Sequence, residues 1–416
     1  MSDRPRLRPV EAFPVQQNGQ TVIYLKDPLN LAPAIGISPL AYFIASHFDG
    51  QHSFIDIQEA YSRQFGTLLV SDDLKAFVDA LDRHYYLWSD RFFAYQNQIV
   101  EEFRGMSIRP AAHAGSVYKK DAEELKAQLD GYFEAPEGPG RPAWNKAGPP
   151  PKAIVAPHID FARGGAGYAW AYRRLAESEG ADVYILLGTS HCSGRNFFIL
   201  TAKDFETPLG AVAADKAFIR ELDRRCRQDL FVDEYLHRGE HSLEFQIVYL
   251  KYVARRRAEL AGIEEKPFTI VPILVSSFHP MVQGGVLPER EPSVAAFLEA
   301  LRELSVRETR RVCFVAGVDL AHVGAQFGDR ETVSSDFLAW VGAEDRRLIE
   351  RLRALDAPGF FNEIAKDQDR RRICGFSPLY SLIHLLDGSE GRTLKYSQAF
   401  TPETGSAVTF TSMVFE

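Results

Sequence analysis

The chain has little cysteine: four residues in 416, at Cys192, Cys226, Cys313 and Cys374. They are too few and too scattered for a disulfide framework, so a reduced, cytoplasmic protein is expected. Long apolar runs are also missing. None reaches the roughly 20 residues that span a bilayer, so no membrane association is expected. Met1-Ser2-Asp3-Arg4-Pro5-Arg6 leads into no apolar segment of the kind a secretory signal needs. Positive charge is not in excess: the net charge of -8 argues against a nucleic-acid partner. There is no internal repeat. "RGGAG" (163–167) lacks the spacing of a dinucleotide loop, and its glycines are read as points of close backbone approach. What remains is ordinary for a globular protein, 45% hydrophobic and 25% charged, at a length that suits two domains.

The two domains differ in grammar. Residues 1–100 carry Asn18-Gly19 between short apolar runs, the signal of a type I′ hairpin. Three helical stretches follow, opened by Ser38-Pro39, Ser53 and Ser71 and stopped by Asp49-Gly50 and Gly66. In the third, Leu74, Phe77, Val78, Leu81 and Tyr85 keep a helical period. Two strands and three short helices suggest a small winged-helix-like α+β domain. Residues 101–416 instead alternate continuous apolar runs with helical patterns. That predicts an α/β fold, a mostly parallel sheet buried on both faces and flanked by helices. The Pro/Gly-rich stretch 135–151 reads as a loop over the site or a connector.

Each predicted strand ends in chemistry. "AIVAPHIDF" delivers His158 and Asp160, and "VYILLGTSHC" delivers Ser190, His191 and Cys192. "FTIVPILVSSFHP" delivers His279, and "VCFVAGVDLAH" delivers Asp319 and His322. Ligands of open α/β sheets bind beyond the carboxyl ends of the strands. One histidine there is more often a hydrogen-bonded core residue, but several converging on one edge favour a metal or acid–base site. "GEHSLEFQIVYL" adds His241 at a helix start, with Glu244 spaced like a capping-box residue. Cys374 precedes a helix opening with Ser377-Pro378, beside Arg371 and Arg372, a setting expected to lower a thiol pKa. Cys226 and Cys313 are read as small buried hydrophobes. Two imidazoles and an anionic third ligand would leave positions open on iron, copper or zinc, with a further histidine such as His241 as general base.

Two resemblances follow from these motifs. "FDGQHSFIDI", "YSRQFG" and "LKAFVDALDRHYYL" make residues 10–100 resemble the PqqD-like peptide-recognition fold. That resemblance implies a domain that takes a peptide as an added strand on its sheet edge; a structural or dimerising winged helix is the plainer alternative. "RPAAHAGSVY", "APHIDFARGGAGYAWAY", "VYILLGTSH", "TPLGAVAAD", "HSLEFQIVYL", "VDLAHVGAQF" and "CGFSPLYSLIHLL", in this order, resemble the Memo family, known in bacteria as protein B of the AmmeMemoRadiSam system. The resemblance implies a class III extradiol dioxygenase-like fold. It also implies iron or copper held by His158, His191 and Cys374, with His241 as base and with Asp319 and His322 lining the pocket. Asp160, Phe161 and Cys192 stand where many members have other residues. Asp160 and Cys192, with Arg163 and Arg372, are expected to set the substrate pocket, Asp160 as an extra ligand or as a partner orienting His158.

Three functions compete on this reading. The first is a metal-dependent redox enzyme, with Arg163, Arg371 and Arg372 recruiting an anionic substrate. The second is a non-catalytic module that binds phosphorylated peptides in the same pocket. The third is a subunit of a peptide- or protein-modifying system with a radical-enzyme partner, a context that the N-terminal domain fits; in the second, that domain would deliver the peptide.

Overall fold

A computed structural model describes residues 3–416 apart from 18, 146, 147 and 331. The chain divides into two compact units, Met1–Gly105 and Met106–Glu416. Each has a hydrophobic core of its own.

In the first unit, strands β1 (Glu11–Gln17), β2 (Gln20–Lys26) and β3 (Ile35–Ile37) form an antiparallel sheet in that order. Gln17 faces Gln20, so a two-residue turn joins β1 to β2. Gly19 has φ +76°, while Asn18 lies outside the described residues. Helices α1 (Pro39–Ala45), α2 (Phe54–Phe65), α3 (Ser71–Arg83) and α4 (Asp90–Gly105) follow. Ser38 caps α1, and Ser53 with Asp56 forms a full capping box on α2. α3 starts without a side-chain cap, so Ser71 is its first residue and Val70 takes the cap position. Leu74, Val78 and Leu81 are buried as their spacing predicts. Tyr85 falls past the helix end at φ +64°. The third strand was too short for its alternation to be read, and α4 was not foreseen.

The second unit contains β4 (Ile108–Arg109), α5 (Ala122–Glu134), β5 (Ala153–Ala156), α6 (Phe161–Ala176), β6 (Val183–Thr189), β7 (Phe198–Leu200), β8 (Asp204–Phe205), β9 (Ala213–Ala214) and α7 (Lys216–Arg225). It continues with α8 (His241–Ala261), β10 (Thr269–Val275), α9 (His279–Gly284), α10 (Pro292–Arg307), β11 (Val312–Gly317) and β12 (His322–Gly324). It ends with α11 (Ser335–Arg353), α12 (Ala357–Ala365), α13 (Phe376–Leu385), β13 (Gly391–Thr401) and β14 (Ser406–Phe415). The main sheet runs β12-β14-β5-β11-β6-β10-β7, with β13 added on β14 and β9 on β10. Its centre, β5-β11-β6-β10, is parallel, and the flanking β14 and β7 are antiparallel. β5 and β6 are buried along their whole length, as continuous apolar runs require of strands covered on both faces. The α/β class with a mostly parallel centre is therefore as expected. No described helix is long and apolar enough to cross a membrane.

The described residues of the Pro/Gly-rich stretch are held against α6. Trp170 donates to the Glu137 carbonyl at 2.9 Å, and Ala143 N–H donates to Glu177 at 3.0 Å. The "RGGAG" glycines sit inside α6. A Cβ on Gly165 would lie 2.3 Å from the Tyr132 ring of α5, so close helix packing accounts for it.

Candidate metal centre

The parallel register sets the site. Ala156 of β5 pairs with Gly317 of β11, and Gly317 with Gly188 of β6, so three carboxyl ends lie level. His158, His191 and Asp319 leave them within two or three residues. The first turn of α8 rests on this edge. A Cβ on Gly317 would lie 2.5 Å from the Ser242 carbonyl, and one on Gly188 2.6 Å from Ser242 Oγ. Only glycine at both positions lets α8 come this close. Ser242 Oγ then donates to the Thr189 carbonyl at 2.8 Å, and Gln246 to that of Pro157 at 2.8 Å. His241 is thereby carried to the other two imidazoles.

Each of His158, His191 and His241 offers a ring nitrogen, and these three atoms lie within 4.8 Å of one another. Ring centroids are 4.9 Å apart for His158–His191, 5.3 Å for His158–His241 and 4.7 Å for the stacked pair His191–His241. His158 is buried; its Nδ1–H donates to the Gly317 carbonyl at 3.0 Å, and its backbone N–H to Asp319 Oδ1 at 3.0 Å. Cys374 Sγ stands 3.3 Å from His158 Nε2, and Asp319 Oδ2 stands 3.6 Å from it. Glu240, the cap of α8, lies between His191 and His241, 3.0 Å from Nδ1 of the former and 3.3 Å from Nδ1 of the latter.

Burial sets the charges. It pushes the His158 imidazole down to about 3, aided by the neighbouring His191, and lowers His241 well below the usual range. Both rings are neutral near pH 7, the form that binds metal. Burial opposes ionisation of Glu240, yet the His191 and His241 rings and the His191 amide hold its carboxyl well below the usual range. Burial raises Asp319 to about 6, against the opposing pull of His322.

Cys374 departs from expectation. Burial pushes its thiol well above the ordinary value, with the Asp319 charge adding to it. The arginines expected to lower it are engaged elsewhere. Arg371 is buried and donates to Asp345 at 2.9 Å, where Thr409 and Tyr396 also donate. It therefore fixes the loop before Cys374 and does not reach a substrate. Arg372 donates to Asp329 at 2.7 Å and to the His322 carbonyl at 3.2 Å.

A cleft of about 390 Å³ opens beside the cluster, lined in part by Ser190, His191, His279, Arg372, Cys374 and Phe376. Of the residues expected to shape a pocket, Arg372 lines it. His322 begins β12, with Nδ1 3.1 Å from the Leu320 carbonyl, close enough to act on the Asp319 charge. Asp160 caps α6 and pairs with Arg163 at 2.6 Å. Gly317 takes the His158-orienting role that Asp160 was expected to fill. The Cys192 carbonyl accepts from Ser190 Oγ at 2.7 Å. His279 lies 3.7 Å from Asp369.

Two acidic residues were misread in the sequence. Glu244 is no helix cap. It is buried and ion-paired with Arg109, and it accepts from Tyr118 at 2.5 Å and from the His113 amide at 2.9 Å. Glu240, which does cap α8, was passed over. Its signal was an acidic residue immediately before the first helical residue and next to a candidate ligand.

A mostly parallel α/β sheet carrying three clustered imidazoles beyond its carboxyl ends defines an α/β protein with a candidate metal centre. A family model described as Memo-like protein matches residues 109–414, and the chain belongs to the Memo family. It is similar to a MEMO1 family protein of Aquifex aeolicus (strain VF5), 26% identical over 409 residues, which cover 98% of this chain and 99% of the relative. A MEMO1 family protein of Methanopyrus kandleri is 28% identical over 297 residues, 70% of this chain and 91% of its own length. One of Pyrococcus furiosus is 28% identical over 320 residues, 74% and 98% respectively.

Proposed function

We propose that this Memo-family protein is a metal-binding, redox-active protein whose site resembles that of the class III extradiol dioxygenases. The observation that carries the reading is the convergence of His158, His191 and His241, with Cys374 Sγ 3.3 Å from His158 Nε2. The donor set fits a transition metal: three nitrogen donors, at least two held neutral by burial, with a sulfur at their edge. Iron or copper is the preferred occupant, with zinc also suited to these donors. A bound iron or copper ion would supply one-electron chemistry and open coordination positions. Cys374 would join as thiolate, because a coordinated thiol gives up its proton despite burial. His241 was first read as the general base; its place in the cluster supports it as a nitrogen donor instead. Asp319, its carboxyl raised to about 6 by burial, exchanges its proton nearer neutral pH than an ordinary aspartate does, which suits it to proton transfer at the site.

The context we infer is a peptide- or protein-modifying system with a radical enzyme as partner, as the AmmeMemoRadiSam name implies. A PqqD-like role for the first unit is supported by its small antiparallel sheet, in which β1 and β3 each pair on one side only. Pro14 removes a backbone donor from β1, so β3 is the better edge for an added peptide strand. Capture of phosphorylated peptides without turnover draws less support, because Arg372 of the cleft is already paired with Asp329. Anaerobic reconstitution with Fe(II), Cu(I) and Zn(II), followed by metal analysis, tests the reading. About one equivalent is expected for wild type and under about a tenth for His158→Ala or His191→Ala. Wild type below a tenth with every metal would refute it.

A further inference from the structure

The Nδ1 atoms of the three clustered histidines all face groups that accept hydrogen bonds and cannot donate them. For His158 the acceptor is the Gly317 carbonyl at 3.0 Å. For His191 it is the Glu240 carboxylate, at 3.0 and 3.1 Å to its two oxygens. For His241 the same carboxylate stands at ion-pair distance, 3.3 Å. A neutral imidazole carries one proton, and facing a carboxylate that proton belongs on Nδ1, which leaves Nε2 bare.

The carboxylate is itself held in place. It accepts the backbone N–H groups of His191 at 3.0 Å, His241 at 2.9 Å and Ser242 at 3.0 Å. Arg109, buried and ion-paired with Glu244, donates to the Glu240 carbonyl at 2.8 Å and to that of His237 at 2.9 Å. So the segment that opens the second unit braces the residue between two of the clustered rings.

We propose that Glu240 is a positioning residue that fixes the Nδ1–H tautomer of His191 and His241 together, presenting both Nε2 atoms to a metal. The proposal rests on the metal-binding reading only for its affinity consequence. Glutamine at this position keeps the shape but offers one acceptor oxygen and turns an NH2 group toward N–H donors. At least one ring must then move its proton to Nε2 or lose its partner. Groups that orient metal-ligating histidines in this way are worth 10–100-fold in metal affinity.

Long-range proton–nitrogen correlation spectra of the metal-free full chain, labelled with 15N-histidine, at about pH 7.5, read which ring nitrogen is protonated. His191→Ala and His241→Ala spectra assign the signals. Both rings are expected as Nδ1–H in wild type, with at least one switching in Glu240→Gln. Zn(II) affinity of Glu240→Gln, measured by competition with a chromophoric chelator, should fall about 10–100-fold with far-UV circular dichroism unchanged. An Nε2–H tautomer on either ring in wild type would overturn the proposal. So would a folded Glu240→Gln protein that keeps both tautomers and binds zinc within twofold of wild type. Should Glu240→Gln fail to fold, the wild-type spectra still decide. Nδ1–H tautomers in a wild type that binds none of Zn(II), Fe(II) and Cu(I) would uphold the tautomer assignment and refute the metal-binding reading instead.

Discussion

His158 and Asp319 meet at the strand ends with opposite responses to acid. The His158 ring is lowered from 6.5 to about 3, so between those values the unfolded chain binds a proton that the folded chain refuses, and stability rises with pH. Asp319 is raised from 3.8 to about 6, so there the folded chain keeps its proton longer, and stability falls as pH rises. In the metal-free wild type the two slopes oppose each other. Asp319→Asn removes one of them, so its urea-unfolding free energy should climb more steeply between about pH 4 and pH 6, by up to about 1.4 kcal/mol per pH unit. An unchanged slope would contradict the raised Asp319 carboxyl. Cys374 gives a second test. Its raised thiol should react with iodoacetamide near pH 7.5 more slowly than a free cysteine, by on the order of tenfold or more, as read by mass spectrometry of the folded protein. At this scale the sequence told ligands from bystanders only in part. The convergence of His158, His191 and His241 was legible because each ends a strand or starts a helix, although His241 was expected as the base beside a ligand set completed by Cys374. Arg371 was not, because its partner Asp345 lies 26 residues away and nothing local marks it as buried.

The element that completes the centre is α8. It contributes Glu240 and His241 only because β6 and β11 carry glycine where it crosses them. Gly317→Ala places a methyl group against backbone, which cannot give way as a flexible side chain can. A loss of about 1–3 kcal/mol in urea unfolding is expected, together with a loss of bound metal well beyond what that destabilisation explains. Gly262→Ala, at the far end of α8, has open space around its Cβ but a φ of +64°. It should cost stability and leave the metal content intact. The parallel centre of the sheet could be read from its apolar runs, since strands covered on both faces have no polar face to break the pattern. The place of α8 could not, because a glycine in a strand does not announce which helix it admits.

At the scale of the whole molecule, each of the two units has a core of its own among the described residues. The second unit contains every residue of the metal cluster, and the Memo-like match begins at Arg109, close to its start. A fragment of residues 106–416 should therefore bind the same metal equivalents as the full chain. The full chain alone should retain a peptide or radical-enzyme partner in pull-down experiments. Retention of such a partner by the fragment would remove the peptide-recognition role proposed for the first unit. A boundary near residue 100 was expected from the change from short capped helices to alternating apolar runs, and the units divide after Gly105. The role of residues 109–118 was not legible, because it depends on Arg109 and Tyr118 reaching Glu244 across more than a hundred residues of chain.

The metal site proposed here places one ion between His158, His191 and His241, with Cys374 at their edge. A crystal structure of the anaerobically loaded full chain, with diffraction recorded on both sides of the metal absorption edge, tests it most directly. One anomalous peak is expected, about 2.0–2.2 Å from a ring nitrogen of each histidine and about 2.3 Å from Cys374 Sγ. A loaded protein with no peak between these side chains, or with its peak elsewhere, would contradict the claim.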